Sequence, residues 1–439
     1  MYALSRLFHL VFRGLSFLAL MPFYLRKEKS QTSCLFQAII DDCNAHLQKS
    51  MIINRENIFL KELTKGLKIH PAVALLGPRQ CGKTTLAKTI FKQQNGKDEN
   101  YFDLEDSADL LRLETPKFAL KPLKGLIVID EIQRKPDLFP TLRTLIDDDP
   151  EKRWLILGSA SRDLIQQSSE TLAGRIEYLE LTPFTLKEVK NLSGLWLRGG
   201  FPRSFLAEDD SLSMRWRKAY IKTFLERDLA SLGVRISPMK LERFWFMLAH
   251  YHGQVINYSE LGNSLQLSHN TIRHYVDLLA ETFMIKVLKP WHENIGKRQV
   301  KTPKVYIRDS GIFHSLLDID SKDKLERHPK LGASWEGFAL EEILRMSLDP
   351  SVMSFFWRTH AGAELDLLLL KGYKRIGFEF KFSDAPKITR SMQESIESLK
   401  LDALFIIIPN KARFQLAKNI HCFGLEEFVS TQSTADLLD

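Results

Sequence analysis

The sequence predicts an α/β fold that begins with a parallel sheet covered by helices on both faces. Between residues 51 and 190, short apolar runs alternate with stretches of helical periodicity, which is typical of such a sheet. The predicted strands are Ala72–Leu76, Tyr101–Glu105, Leu126–Asp130, Trp154–Leu157 and Ile176–Leu181. A glycine-rich loop follows the first run, and two carboxylates complete the third. Because ligands of parallel sheets bind at the carboxyl ends of the strands, we expect one binding site there.

The glycine-rich loop has the spacing of a phosphate-binding loop (P-loop). It comprises Gly77, Pro78, Arg79, Gln80, Cys81, Gly82, Lys83, Thr84 and Thr85. The two glycines let the backbone N–H groups turn toward phosphate oxygens, and the following helix directs its N-terminus at the same anion. Lys83 reaches the β- and γ-phosphates, and the Thr84 hydroxyl ligates Mg²⁺. Because the guanine-reading pattern Asn-Lys-x-Asp is absent from the sequence, we expect ATP with Mg²⁺ as the ligand.

The two carboxylates at the end of the third run complete the predicted catalytic site. Asp130 is placed to hold the Mg²⁺ hydration shell, and Glu131 is placed to orient and deprotonate the attacking water. Ser159, which follows the fourth run, could contact the γ-phosphate or that water, although a simple Gly-Ser turn explains it equally well. Arg175 could stabilise transition-state charge as an arginine finger, in cis or from a neighbouring subunit, or it could be a surface arginine.

Composition and the N-terminal segment set further limits. A chain of 439 residues is longer than a domain with a single hydrophobic core usually is, so we expect several domains. Its net charge of +8 permits polyanion binding without requiring it. None of the four cysteines shows a metal-ligand spacing, and we expect a free Cys81 and a cytoplasmic location. The uncharged stretch from Gly14 to Leu25 is too short for an integral membrane span. We interpret residues 1–50 as a leader outside the folded core; a weak membrane-surface helix is the alternative.

Beyond the first domain, the pattern changes twice. Residues 196–232 predict a helical lid, with a helix from Trp216 to Leu229, and residues 233–295 predict a winged helix-turn-helix. If this module binds DNA, its third helix would present Asn270, Arg273 and His274 to the major groove; the alternative is a module that only packs against protein. We therefore divide the chain into 1–50, 51–195, 196–232, 233–295 and 296–439.

The last of these segments carries a second group of charged residues. Strand alternation places Glu379 and Lys381 on one face, and a hairpin around the turn at Lys371–Tyr373 would bring Asp366 beside them. Glu336 could add a carboxylate from a preceding helix. Two or three carboxylates with a lysine suit a Mg²⁺-dependent phosphodiesterase. A half-solvated hairpin bearing ordinary charges is the alternative interpretation.

The chain from about Ile53 to its C-terminus resembles the bacterial and archaeal AAA-type ATPases that carry a C-terminal domain of restriction-endonuclease-like fold. The matching motifs are Gly77–Thr85, Ile129–Gln133, Gly158-Ser159, Leu172–Arg175, Gly199–Pro202, Arg227-Asp228, Lys304–Tyr306 with Asp309 and Gly311, Glu336, Glu364–Asp366 and Glu379–Lys381. The resemblance implies ATP binding, ATP hydrolysis and a nuclease-like domain. The chain departs from the usual nuclease signature at Leu365, where a proline is usual.

These observations lead to three functional hypotheses. The first is an ATPase that couples hydrolysis to conformational change and acts on nucleic acid, and that could assemble as a homo-oligomer. The second is an ATP-gated, Mg²⁺-dependent nuclease that uses the C-terminal charged residues. The third is an ATP-switched DNA-binding regulator that works through the winged helix.

Overall fold

The computed structural model describes residues 59–159, 168, 170–231, 236–293, 299–432 and 437–438. The predicted leader, residues 1–50, lies outside the described residues. Within the described ranges, no helix combines the length and the apolar character that crossing a bilayer requires. Cys81 and Cys422 are both buried, and neither belongs to a disulfide bond.

A parallel sheet of five strands forms the centre of the first domain, as predicted. Its strands lie in the order β2-β3-β4-β1-β5. Their bounds are β1 Ala72–Leu76, β2 Tyr101–Asp103, β3 Leu126–Asp130, β4 Arg153–Gly158 and β5 Ile176–Glu180. The apolar residues of β1 and β3 are buried on both faces, which explains why these strands read as continuous apolar runs rather than as alternating ones. Since β4 lies between β3 and β1, the segment after β4 emerges between the loop and the acids.

Among the described residues of this domain, five helices cover the sheet. They are α1 Phe59–Ile69, α2 Lys83–Gln93, α3 Ser107–Arg112, α4 Pro116–Leu120 and α5 Phe139–Asp148. The helical stretch predicted around Leu110–Phe118 is divided between α3 and α4. The break has a local cause, because Pro116 opens α4 and a proline disfavours helical geometry in the residue that precedes it.

A helical segment connects the first domain to the rest of the chain. It comprises α6 Leu186–Val189, α7 Leu192–Arg198, α8 Pro202–Phe205 and α9 Asp210–Thr223. The helix predicted from Trp216 to Leu229 is not a uniform α-helix, because its second half, Phe224–Asp228, adopts π-helical geometry before a last turn at Leu229–Ser231. Such π-helical turns are rare and are frequently found at functional sites.

Three helices and a small antiparallel sheet come next along the chain. The helices are α10 Pro238–His250, α11 Tyr258–Leu265 and α12 His269–Glu281, and the strands are β6 Gln254–Val255, β7 Ile285–Leu288 and β8 Lys304–Ile307. The strand order is β6-β8-β7. Strand β8 lies beyond the boundary that we predicted at residue 295 but pairs with both other strands, so the small sheet crosses that boundary. The winged-helix assignment itself stays a prediction.

The C-terminal part contains a mixed sheet with the order β13-β14-β12-β11-β10-β9. Its strands are β9 Met353–Arg358, β10 Glu364–Lys371, β11 Lys374–Phe380, β12 Ala403–Ile408, β13 Arg413–Ala417 and β14 Ile420–Gly424. The helices are α13 Ser310–Leu316, α14 Lys322–Arg327, α15 Leu331–Arg345, α16 Arg390–Leu399 and α17 Leu425–Thr431. Strands β10 and β11 form the predicted antiparallel hairpin.

Candidate active site

The glycine-rich loop connects β1 to α2, as expected of a phosphate-binding loop. Gly82 has a φ of 103°, a left-handed conformation that side chains with a Cβ atom rarely adopt. Gly77 lies so close to the end of β5 that a Cβ atom there would stand 2.2 Å from the Leu181 carbonyl oxygen. Both positions therefore need glycine, one for conformation and the other for space.

Lys83 is held at the centre of this loop. Its side chain is 5% exposed, and its Nζ atom donates hydrogen bonds to the carbonyl oxygens of Gly77 at 3.0 Å and Pro78 at 2.9 Å. A buried ammonium group needs such acceptors to offset the loss of water. The loop thus holds one positive charge beside the N-terminus of α2, where anions bind most favourably.

Asp130 joins the loop to the third strand. Its Oδ2 atom accepts hydrogen bonds from the Thr84 hydroxyl at 2.8 Å and from the Tyr101 hydroxyl at 2.9 Å. Asp130 is 1% exposed, and burial and the nearby Asp130 both raise the pKa of Tyr101 above its ordinary value, so Tyr101 remains a donor. The carboxylate and the Thr84 hydroxyl therefore meet, as the predicted Mg²⁺ site requires. Tyr101 was not predicted as part of the site.

Glu131, Gln133 and Ser159 form a chain of contacts beside this pair. The Gln133 side-chain amide donates to the Glu131 carboxylate, and the Gln133 oxygen accepts from the Ser159 backbone N–H at 3.3 Å. The Ser159 hydroxyl oxygen is buried and has no hydrogen-bond partner among the described residues. A buried hydroxyl of this kind fits a phosphate oxygen or a water as its partner. Gln133 ends one of the motifs that carry the family resemblance, but the sequence assigned it no role.

The backbone and the surroundings of Glu131 suit a general base. Its φ is 56°, a conformation that is uncommon for residues other than glycine and occurs most often at functional sites. Burial raises the pKa of the Glu131 carboxyl, and the Lys83 ammonium partly opposes that rise. A carboxylate with a raised pKa accepts a proton more readily.

Arg79, also in the loop, contacts the helical segment. Its guanidinium donates to the Asp228 carboxylate at the end of the π-helical turn, and it lies 3.6 Å from a carboxylate oxygen of Glu105. The side chains of Arg79 and Asp228 are 17% and 8% exposed. Burial lowers the pKa of Arg79, but Asp228, Glu131 and Glu105 together more than offset this effect, so the pKa lies above its ordinary value. The partner of Asp228 is therefore the phosphate-binding loop itself.

Arg175 is the one predicted catalytic residue that the structure does not bring to this site. It stands just before β5, and its carbonyl oxygen accepts from the N–H of Ala72, the first residue of β1. The loop follows the other end of β1, roughly 13 Å away along the strand. The Arg175 guanidinium instead binds both carboxylate oxygens of Asp147, at 2.6 and 2.9 Å. A role in a neighbouring subunit stays a prediction.

The C-terminal charged residues do meet, and the structure adds a residue that we had not assigned. Glu336 lies in α15, Glu364 and Asp366 lie in β10, and Glu379 lies in β11. The ammonium of Lys304, at the start of β8, lies among the first three of these carboxylates. We call Glu336, Glu364, Asp366 and Glu379 the acid cluster.

Burial strengthens the electrostatic interactions among the charged groups of the acid cluster. Lys381, on its rim, lies 2.8 Å from Glu379 and 4.0 Å from Asp366. Burial, together with the Asp366 charge, raises the pKa of Glu379 to about 8, against the opposing effect of Lys381. In the described part of the chain, no group of three or more His, Cys, Asp or Glu side chains is arranged to hold a metal ion. The structure therefore brings the predicted residues together, and the second metal site stays a prediction.

The predicted DNA-contacting residues Asn270, Arg273 and His274 are all exposed. They lie on α12, whose opposite face packs Ile272, Tyr275 and related apolar residues into the core. The structure thus leaves this face accessible to a partner, and it does not identify the partner.

Three family models each match one part of the chain. Residues 69–190 match an AAA domain, which agrees with the parallel sheet and the loop geometry. Residues 189–323 match a domain of unknown function (DUF8612), and residues 331–428 match another (DUF4143). The first part of the chain is therefore an AAA-type P-loop ATPase domain.

Two solved structures resemble this chain at low sequence identity. The Walker-type ATPase PABY2304 of Pyrococcus abyssi aligns over 60% of this chain and 95% of its own, with 16% identity and a TM-score of 0.43. A structure of Drosophila ORC bound to AT-rich DNA and Cdc6 aligns over 67% of this chain and 100% of its own, with 9% identity and a TM-score of 0.21. At these scores, neither alignment bears on function.

Two mycobacterial proteins are much closer in sequence. Uncharacterized protein Rv2008c of Mycobacterium tuberculosis is 46% identical over 391 residues, which span 88% of this chain and 87% of the relative. Uncharacterized protein Mb2031c of Mycobacterium bovis matches with the same identity and coverage. An alignment of this length must include parts of the ATPase domain and of the C-terminal sheet. The chain therefore belongs to the same family as Rv2008c and Mb2031c.

Proposed function

We propose that the protein is an ATPase that couples ATP hydrolysis to conformational change in its appended domains. The observation that carries this proposal is the meeting of Thr84 and Asp130 at 2.8 Å, beside a loop that holds the buried Lys83 ammonium. A hydroxyl, a carboxylate and an ammonium in this arrangement are the groups that a Mg²⁺-bound triphosphate needs.

The proposed chemistry assigns each residue a separate task. The loop N–H groups and Lys83 bind the β- and γ-phosphates, and Thr84 with Asp130 would hold Mg²⁺, which offsets phosphate charge when it is bound. Glu131 accepts the proton of the attacking water, and Gln133 fixes the position of the Glu131 carboxylate. The buried Ser159 hydroxyl donates to a γ-phosphate oxygen or orients that water. Together these groups provide positioning and electrostatic stabilisation, which dominate phosphoryl transfer.

The contact between Arg79 and Asp228 supports the coupling part of the proposal. One partner belongs to the phosphate-binding loop and the other to the helical segment that follows the ATPase sheet. A charged ligand in the loop changes the electrostatic environment of Arg79 and therefore the strength of this contact. The helical segment can respond to nucleotide through a direct physical link.

Two substitutions test the ATPase assignment. We expect Lys83→Ala to abolish saturable binding of a fluorescent ATP analogue, because it removes the buried ammonium from the loop. We expect Glu131→Gln to retain binding and to lose phosphate release, because an amide cannot accept the proton. Unchanged hydrolysis by the Lys83→Ala protein would contradict the site assignment. Circular dichroism of both variants serves as the control for folding.

Action on nucleic acid is the finer part of this proposal. It is supported by the exposed Asn270, Arg273 and His274 on α12 and by the net charge of +8. Duplex DNA should therefore bind with an affinity that falls as salt rises. A mobility-shift series over salt concentration, with Arg273→Ala as the test variant, measures this. The absence of a shift at low ionic strength would count against DNA as the partner.

A further inference from the structure

The ammonium of Lys304 lies in a position that suits a cation bound by carboxylates. It is 2.5 Å from Glu364 Oε1, 3.3 Å from Glu336 Oε1 and 3.7 Å from Asp366 Oδ1. Its side chain is only 2% exposed. Three carboxylate groups from two different elements thus surround a single buried positive charge.

The cluster is built around this charge. The Tyr306 hydroxyl donates to Glu336 at 2.7 Å, and the backbone N–H of Phe380 donates to Asp366 at 3.0 Å. Each of these bonds fixes a carboxylate that faces Lys304. Burying several carboxylates together is costly unless a cation compensates them. Lys304 provides that compensation from within the chain.

Lys304 reaches the cluster from a different sheet. It begins β8, which pairs with β6 and β7, whereas Glu364, Asp366 and Glu379 belong to the C-terminal sheet. Just beyond the other end of β8, Arg308 pairs with Glu180 of β5 at 2.7 Å and with Glu341 at 3.1 Å. The five residues from Lys304 to Arg308 therefore carry two cations, one bound to the C-terminal sheet and the other to the ATPase sheet.

We propose that Lys304 is the resident cation of the acid cluster and that it excludes divalent metal ions from the cluster while β8 is docked. The cluster then serves as an ionic contact between the small sheet and the C-terminal sheet. Access of a divalent ion requires Lys304 to withdraw, which requires β8 to move. This proposal is independent of the ATPase assignment.

Counting bound Mn²⁺ in the nucleotide-free, full-length protein tests the proposal. Free Mn²⁺ is measured by electron paramagnetic resonance during titration with MnCl₂ alone. We expect no saturable site at the cluster in the wild-type protein. We expect Lys304→Met, which keeps the side-chain volume and removes the charge, to gain a site at least about tenfold tighter than any wild-type binding. Adding Glu364→Gln to that variant should remove the gained site.

Lys381→Met is the matched control. It removes a positive charge from the rim of the same cluster. The Lys381 side chain is 39% exposed, and Lys381 belongs to the same part of the chain as the acids. We expect a much smaller gain in Mn²⁺ affinity than for Lys304→Met. An equal gain would overturn the proposal, because it would show a general charge effect. Should Lys304→Met fail to fold, the wild-type titration still decides: a saturable Mn²⁺ site that Glu364→Gln abolishes would also overturn it.

Discussion

Because Gly77 lies close to the end of β5, the geometry determines how strongly a Gly77→Ala substitution should affect the loop. A Cβ atom at Gly77 would lie 2.2 Å from the Leu181 carbonyl oxygen, whereas contacts between carbon and carbonyl oxygen are roughly 3.3 Å or longer. Gly77→Ala must therefore displace the loop by about 1 Å. Leu181 cannot yield easily, because its N–H donates to the Leu76 carbonyl oxygen at 2.7 Å.

A displacement of this size acts on the groups that position the phosphates. Misplacement by about 1 Å costs a catalytic site roughly a hundredfold in rate. We expect Gly77→Ala to lower kcat/KM for ATP hydrolysis by about that factor, measured by phosphate release over a range of ATP concentrations. Circular dichroism and thermal unfolding should show a folded protein, since the substitution lies in a loop.

Gly332→Ala is the matched control for this experiment. Gly332 lies in α15, and a Cβ atom there would meet nothing within 4 Å. This substitution should leave kcat/KM unchanged and should leave Tm unchanged or slightly raised, because alanine restricts the unfolded chain more than glycine does. If folded Gly77→Ala protein hydrolysed ATP with kcat/KM within about threefold of wild type, the spatial argument would be refuted.

Two further predictions concern ionic groups. Asp228→Asn should lower the free energy of unfolding by about 2 kcal/mol, visible as a lower Tm, because it removes a charged hydrogen bond to Arg79 that is mostly shielded from water. Burial raises the pKa of Glu342 to about 7, and Arg345 and the Leu186 N–H oppose the rise. Because its pKa is raised in the folded state, Glu342 contributes stability below its unfolded-state pKa, and this contribution is lost as the pH rises through about 7. E342Q should therefore raise Tm at pH 8 by an amount equivalent to at most about 3 kcal/mol and leave it nearly unchanged at pH 5.

Each of these predictions has a control in the same chain. Asp323→Asn breaks an ion pair with Arg327 whose partners are 68% and 79% exposed, and it should change Tm very little. Equal losses for Asp228→Asn and Asp323→Asn would contradict the role assigned to the Arg79 contact. For Glu342, the control is Glu397→Gln, since Glu397 is exposed. A Tm gain that is the same at pH 5 and pH 8 would show that burial of the Glu342 charge is not the cause.

Much of the ATPase domain could be predicted because its signals are local. The bounds of β1 and β3 agree with the apolar runs that predicted them. The carboxyl ends of parallel strands lie at one edge of a sheet. The positions of residues at the ends of β1 and β3 therefore predicted the functions proposed for Lys83, Thr84, Asp130 and Glu131. Where a local signal was missed, the cause was also local, as at Pro116.

Contacts between distant segments could not be predicted in the same way. Hydrophobic periodicity shows which face of an element is buried but not which partner covers it. Tyr101 reads as a strand residue, and only the pairing of β2 with β3 brings its hydroxyl to Asp130. Arg175 ends a motif of the resembling family, but the direction of β5 places it at the edge opposite the loop.

The sequence by itself determined the phosphate-binding loop, the two acids and the strands that present them, because periodicity and loop chemistry act over a few residues. Only the tertiary structure decided that Arg79 contacts Asp228, 149 residues away, and that Lys304 lies among carboxylates from α15 and β10. Such ion pairs depend on how separate elements dock, and their strength depends on the burial that docking creates.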